Sequence, residues 1–297
     1  MVGTPEGRLA LQLRHPDSNA TGGGTRTLCI DFASRALYDR VTDMVRTAAA
    51  LLRATGCAAT PTATTASGAP TLVDATAGTG RDAFTLAASR GAPHVLLLER
   101  DARVAALLAD AILRGRVAAT TPPQSTSPAA CPPAWLAHVA TVCSTRMTLV
   151  HADAAAVLRG SGSGDDNAAV LRPGDAGVRQ LPAADVAALL ATAHTIYVDP
   201  MWSTAAPESA GGGKLRRPTR ATPRNDLAIL GRLLPPQPPD YRAHLLAAAA
   251  AAPAARQLVI KRHAAAADDV QAAGWSASAS LTDGDGAAFD VWRRRPV

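Results

Sequence analysis

The 297-residue chain is poor in aromatic rings: Phe, Tyr and Trp make up 3% of it, against 47% for all hydrophobic residues. Alanine and aliphatic side chains must therefore build the core, and each ring is individually informative. The four cysteines, Cys29, Cys57, Cys131 and Cys143, show no CxxC spacing. This excludes a zinc-ribbon or disulfide framework and predicts reduced thiols in an intracellular chain. The seven histidines carry no HExxH or other paired spacing, so no metal site is expected. No apolar run approaches bilayer length, which argues against a membrane partner. The first 17 residues lack a secretory apolar segment, and Glu6 and Asp17 make them a poor organelle presequence. A cytoplasmic monomer is expected, with the mitochondrion as the alternative location. The formal net charge of +6 and a pI near 9.7 suit a polyanionic partner without identifying one.

Against that background the pattern is one of alternation. Residues 1–66 read as an amino-terminal extension: strands over 8–14 and 25–31, a helix over 34–54 with apolar positions Leu37, Val41, Val45, Ala48, Leu51 and Leu52, then a Thr/Ala/Ser/Pro linker. From 67 to 297 short apolar strands alternate with helices. Strands are expected at 71–73, 94–98, 147–150, 195–198 and 258–260, and a closing hairpin at 275–281 and 289–294. Strands apolar on both faces point to an α/β fold with a mostly parallel seven-stranded sheet covered on both sides. Stretches 118–133 (Pro, Thr, Ser, Ala) and 160–180 (Gly, Asp, Ser) interrupt the rhythm and read as disordered surface insertions.

Three strand ends carry chemistry. Asp74-Ala75-Thr76-Ala77-Gly78-Thr79-Gly80-Arg81-Asp82 joins the first strand to its helix. Small residues let a ligand approach the backbone, and the helix amino terminus presents free N–H groups. Glu99 ends the second strand, where a carboxylate can accept from both hydroxyls of a ribose. Gly78-x-Gly80-x-x-Ala83 satisfies a relaxed dinucleotide pattern, so NAD is a rival ligand. Asp74, suited to a cationic amino-acid group, and Asp82, which would repel a diphosphate in the first helical turn, favour S-adenosylmethionine. At the fourth strand end stands Asp199-Pro200-Met201-Trp202. Its carboxylate and turn carbonyls can accept from an exocyclic amine, its proline fixes the turn, and its indole can stack on a base. The plainer interpretation is a strand-ending Asp-Pro turn beside a core Trp.

Two basic segments follow. Lys214, Arg216, Arg217, Arg220 and Arg224 place five cations in eleven residues, either a solvated loop or a phosphate clamp. Lys261-Arg262 leave the fifth strand on the ligand side of an open α/β sheet. His151 and Tyr197 are assigned to packing.

These segments, taken in order, resemble the RsmJ family of small-subunit ribosomal RNA guanine-N2 methyltransferases. The resemblance is carried by Val73-Asp74-Ala75-Thr76-Ala77-Gly78-x-Gly80-Arg81-Asp82-Ala83-Phe84, Leu98-Glu99-Arg100, Leu149-Val150-His151-Ala152, Tyr197-Val198-Asp199-Pro200-Met201, Val259-Ile260-Lys261-Arg262 and Phe289-Asp290-Val291. It implies a Rossmann-like class I methyltransferase fold. It further implies S-adenosylmethionine contacts at Arg81, Asp82, Glu99, Arg100, Asp199 and near Asp153 and Ala154, and small-subunit rRNA, free or assembled, as partner. The chain departs from the family in carrying Trp202 where Phe is usual, in lacking the Lys-rich segment after the turn, and in a shorter amino-terminal region. Catalytic roles are accordingly expected for Asp199, Pro200 and Trp202. RNA contacts are expected for Lys214, Arg216, Arg217, Lys261 and Arg262.

Overall fold

Hydrophobic strands alternate with helices along this chain. The computed structural model describes residues 1–4, 7–13, 26–44, 48–58, 71–89, 91, 93–120, 131–160, 168–199, 238, 240–263, 274–282 and 287–295. The chain divides into two units, residues 1–29 with 201–241 and residues 30–200 with 242–297.

The first unit holds a three-stranded antiparallel sheet, β1 (Val2–Gly3), β2 (Leu9–Leu13) and β3 (Arg26–Leu28), in that order. Thr4 closes the β1–β2 turn: its carbonyl accepts from the Gly7 N–H at 2.9 Å and its hydroxyl from the Arg8 N–H at 3.1 Å.

The second unit is built on a nine-stranded sheet. Its strands are β4 (Thr71–Asp74), β5 (His94–Glu99), β6 (Met147–His151), β7 (Ala168–Leu171), β8 (Arg179–Leu181), β9 (Ala193–Val198), β10 (Gln257–His263), β11 (Trp275–Thr282) and β12 (Ala287–Arg294). They run in the order β11-β12-β10-β9-β4-β5-β6-β7-β8. The five strands from β10 to β6 are mutually parallel, while β12, β11, β7 and β8 each pair antiparallel to their neighbours. β4 is followed in the chain by β5 on one side and lies against β9 on the other, so the winding direction reverses between β4 and β9. In open α/β sheets, ligands bind outside the carboxyl ends of the strands at such a reversal.

The helices are α1 (Arg35–Thr42), α2 (Ala49–Thr55), α3 (Arg81–Ala87), α4 (Ala102–Arg116), α5 (Pro133–Thr145), α6 (Ala154–Arg159), α7 (Ala183–Leu190) and α8 (Tyr241–Ala251). Asp101 caps α4, accepting from the N–H groups of Arg103 and Val104. The α4 face with Val104, Leu107, Leu108, Ala111 and Ile112 is buried, as the 3.6-residue period requires. Some of the few rings gather in one cluster. Phe32 stacks on Phe84 with centroids 4.9 Å apart, and Trp135 meets Phe84 edge-on at 5.8 Å. All three are buried, and each such ring contributes about 1.5–3 kcal/mol over leaving it in water.

Three expectations need correction. The sheet has nine strands rather than seven, because part of the 160–180 stretch expected to be disordered folds onto its edge. Ala168–Leu171 pairs with β6, and Arg179–Leu181 pairs with it in turn. The loop between them is fastened by the Arg116 guanidinium, which donates to the carbonyls of Asp175, Arg172 and Cys143. Among the described residues, the stretch 34–54, expected to be one helix, carries the separate helices α1 and α2: α1 packs on α3, and α2 packs on β10, β11 and β12. Helices α5, α6 and α7 occupy stretches for which no element was predicted. Among the described residues, no helix is long and apolar enough to cross a membrane.

Candidate active site

The loop after β4 needs two backbone conformations that only glycine adopts without strain. Gly78 has φ +51° and Gly80 φ +69°. At Gly80 a Cβ would also stand 2.7 Å from Leu108 Cδ2 and 3.1 Å from Phe32 Cζ. This glycine therefore lets α3 sit close against α4 and the ring cluster. The loop is held to both neighbouring strands, with Ala75 N–H donating to the Tyr197 carbonyl at 2.9 Å and Ala77 N–H to the Leu98 carbonyl at 3.1 Å.

Glu99 closes one side of the site. Its Oε2 accepts from Gly78 N–H at 2.9 Å and its Oε1 from Asp101 N–H at 2.8 Å. Two backbone donors thus fix the carboxylate, and an ionised carboxylate has further acceptor positions for a ligand's hydroxyls. Burial pushes its acid up to about 6, against the pull of those N–H groups. Asp74 lies deeper, 2% exposed, with Oδ1 accepting from Thr76 N–H at 3.0 Å. Burial raises its carboxyl to about 8, and the nearby Asp82 and Asp199 push in the same direction.

Asp199 follows β9 at the opposite lip. Its N–H donates to Thr76 Oγ1 at 2.7 Å, so one threonine ties the β4 loop to the β9 turn. The Asp199 side chain is 31% exposed, and its Oδ2 accepts from Lys261 Nζ at 2.7 Å. The same ammonium reaches Asp82 Oδ2 at 2.9 Å. Asp82 also accepts from Arg40 at 2.6 Å and from the Tyr197 hydroxyl at 2.7 Å. Burial raises the Asp199 carboxyl, with Lys261 opposing the shift. Asp82, although buried, is held below the ordinary carboxylate range by Lys261 and Arg40. Burial works against the Lys261 ammonium, but its two carboxylates raise it above the ordinary lysine value.

Sequence alternation explains the assembly. In the parallel pairing of β10 with β9, Val259 stands opposite Tyr197 and Ile260 opposite Val198. Continuing that register sets Lys261 beside Asp199. Side chains alternate between faces, so Tyr197, Asp199 and Lys261 share the face that receives Asp82 from α3.

Lys261 and Arg262, expected to contact RNA, both have their charges matched within the fold. Lys261 lies between Asp82 and Asp199, and Arg262 forms a two-pronged pair with Asp290, one prong being Nη2 to Oδ1 at 3.1 Å. Asp82 does not present an isolated negative charge, since Arg40 and Lys261 balance it. Asp82 therefore drops out of the charge argument against a diphosphate. Asp153 caps α6, its Oδ1 accepting from Ala156 N–H at 3.0 Å, and Ala154 opens that helix. Arg81 opens α3, and Arg100 directly follows Glu99. His151 reaches the Arg100 carbonyl with Nε2 at 3.2 Å, a packing role. Tyr197, read as core alone, spends its hydroxyl on Asp82. Thr76, Arg40 and the Lys261 bridge were not singled out from the sequence. Pro200, Trp202, Lys214, Arg216, Arg217, Arg220 and Arg224 lie outside the described residues.

Known proteins resemble this chain in sequence and in fold. A family model described as "Putative SAM-dependent methyltransferase" matches residues 5–127. A solved SAM-dependent methyltransferase from Neisseria gonorrhoeae superposes with a TM-score of 0.51 at 19% identity, covering 97% of this chain and 81% of that one. The fold is that of the class I SAM-dependent methyltransferases. Two curated relatives are both named ribosomal RNA small subunit methyltransferase J. That of Photorhabdus laumondii is 65% identical over 46 residues, 16% of this chain and 18% of the relative. That of Pectobacterium atrosepticum is 42% identical over 90 residues, 30% of this chain and 28% of the relative. The matched stretches thus span less than a third of the relatives' own length. The resemblance drawn from the motifs is borne out, and S-adenosylmethionine is the cofactor that the family model and the fold point to.

Proposed function

We propose that this chain transfers the methyl group of S-adenosylmethionine to the exocyclic N2 of a guanine in small-subunit ribosomal RNA, free or within the subunit. The observation that carries this reading is the convergence of three carboxylates at the winding reversal: Asp74, Glu99 and Asp199, with Thr76 joining the first loop to the last. The residues present fit the cofactor. Glu99, fixed by two backbone donors, is suited to a ribose diol. Asp74, poised near neutrality by burial, would ionise against an ammonium.

When bound, S-adenosylmethionine supplies an electrophilic methyl on a sulfonium. The protein's task is then alignment and charge. A guanine amine is a weak nucleophile because its lone pair is delocalised into the ring. Oδ2 of Asp199 is occupied by Lys261, which leaves Oδ1 to accept a hydrogen from the amine and hold its lone pair toward the methyl. Fixing two reactants in this way can supply several kcal/mol of the barrier, about 7–11 at the upper end. The proton departs from nitrogen after transfer, so Asp199 does not have to be a strong base. Turn carbonyls after Asp199, Pro200 first, would take the second amine hydrogen, and Trp202 would stack on the base. Unstacking a guanine costs a few kcal/mol, and Lys214, Arg216 and Arg217 are the cations suited to holding the RNA strand during that step.

Calorimetry with S-adenosylhomocysteine and NAD separates the cofactor classes. Labelled-methyl transfer to small subunits, naked rRNA, DNA and protein separates the substrates. Saturable binding of S-adenosylhomocysteine with label in the ribosomal RNA supports the reading. Label in DNA or protein, or binding of NAD instead, refutes it.

A further inference from the structure

We propose that Lys261 is a positioning residue for Asp199: its ammonium, bridging Asp82 and Asp199, keeps the Asp199 carboxylate ionised and turned toward the substrate amine. The inference rests on the reading of Asp199 as the group that holds that amine. Lys261 Nζ stands 2.7 Å from Asp199 Oδ2 and 2.9 Å from Asp82 Oδ2. Asp82 is itself pinned by Arg40 at 2.6 Å and by the Tyr197 hydroxyl at 2.7 Å. The ammonium therefore has one partner that cannot move and one at the lip of the site. Its anchor is α3, whose amino terminus also ends the loop after β4, so cofactor loop and acceptor carboxylate are braced against the same cation.

Among the described residues, the charged and titratable groups facing Asp199 are Lys261 on β10, Asp82 on α3, Arg40 on α1, Asp74 on β4 and Tyr197 on β9. Asp82, and Asp74 when it is ionised, oppose the ionisation of Asp199, whereas Tyr197 stays neutral. Of the two cations, Lys261 touches Asp199 directly, whereas Arg40 is bonded to Asp82. Removing Lys261 leaves Asp74, Asp82 and Asp199 close together, with Arg40 as the remaining cation among these described residues. An opposite charge at this range lowers a carboxyl by about one to three pH units, and that is the shift at stake.

The test follows the Asp199 carboxyl carbon by NMR titration of the full chain without cofactor, with Asp199→Asn locating its signal. The titration midpoint should rise by about one pH unit or more in Lys261→Met and stay near wild type in Lys261→Arg. In the methyl-transfer assay, the acid limb of the rate–pH profile should move upward with it, because the ionised carboxylate is the working form. At neutral pH and saturating S-adenosylmethionine, kcat should fall by about a hundredfold. An unmoved midpoint in Lys261→Met, or equal shifts in the Met and Arg variants, overturns the proposal. Should Lys261→Met not fold, Lys261→Gln carries the same titration. Wild-type protein that transfers no methyl to any substrate would sink the methyltransferase reading, yet the titration would still decide the role of Lys261.

Discussion

Asp74→Asn should make the protein more stable and less able to bind its ligand. The side chain is 2% exposed, and its acid is raised by burial from an ordinary 3.8 to about 8. At neutral pH the unfolded chain carries this group ionised and the folded chain carries it protonated. Folding then binds a proton, which costs about 4 kcal/mol at pH 7, at 1.36 kcal/mol for each pH unit between the ordinary value and neutrality. The sign follows from the direction of the shift. A raised acid leaves stability intact below about pH 4 and erodes it as pH climbs toward about 8. Asparagine has the same shape, stays neutral throughout, and keeps an oxygen for the Thr76 N–H. Allowing for desolvation of the new amide, the variant should gain on the order of 2–4 kcal/mol over wild type at about pH 8 and should have lost that advantage at about pH 4. Urea unfolding at the two pH values measures this directly, and calorimetry with S-adenosylhomocysteine on the same samples should show weaker binding. A stability difference that does not vary with pH would refute the reasoning, as would a variant that binds as tightly as wild type.

Glu99→Ala should raise the dissociation constant for S-adenosylhomocysteine by about tenfold or more, the loss of at least one hydrogen bond to a charged group. Because the ionised form accepts, wild-type binding should tighten as pH rises through about 6 and the variant's should not, by calorimetry across that range. Gly115→Ala should destabilise by about 1–3 kcal/mol through overpacking, since the new methyl would stand 2.5 Å from Cys143 Sγ; thermal unfolding reads this without any ligand. Asp199→Ala should lower methyl transfer by about a hundredfold or more, by single-turnover assay at saturating S-adenosylmethionine.

The parallel centre of the sheet was legible because its strands are short, apolar on both faces and separated by amphipathic helices. Leu96, Leu97 and Leu98 could hardly be anything but a buried strand. The edge hairpin β7–β8 was not legible. Ala168–Leu171 is too short and too weakly patterned to stand out from the Gly/Asp/Ser stretch around it, and the Arg116 side chain that fastens its loop lies far off in sequence. The three site carboxylates were legible from their places at strand ends. Their surroundings were not. Lys261 and Arg262 are adjacent cations on the rim in sequence terms, and nothing local announces that alternation sends one to Asp82 and Asp199 and pairs the other with Asp290. Arg40 belongs to a helix 42 residues before the aspartate it bonds, and Tyr197 reads as apolar until its hydroxyl finds a partner. Long-range polar pairing is set by the fold and leaves no periodic trace.

The most direct test is mass-spectrometric mapping of methylguanosines in small-subunit rRNA after incubation with S-adenosylmethionine and either the wild-type chain or Asp199→Ala. One new N2-methylguanosine with the wild type, absent with the variant, is the predicted result. An unchanged map, or the same new modification from both proteins, would contradict the account.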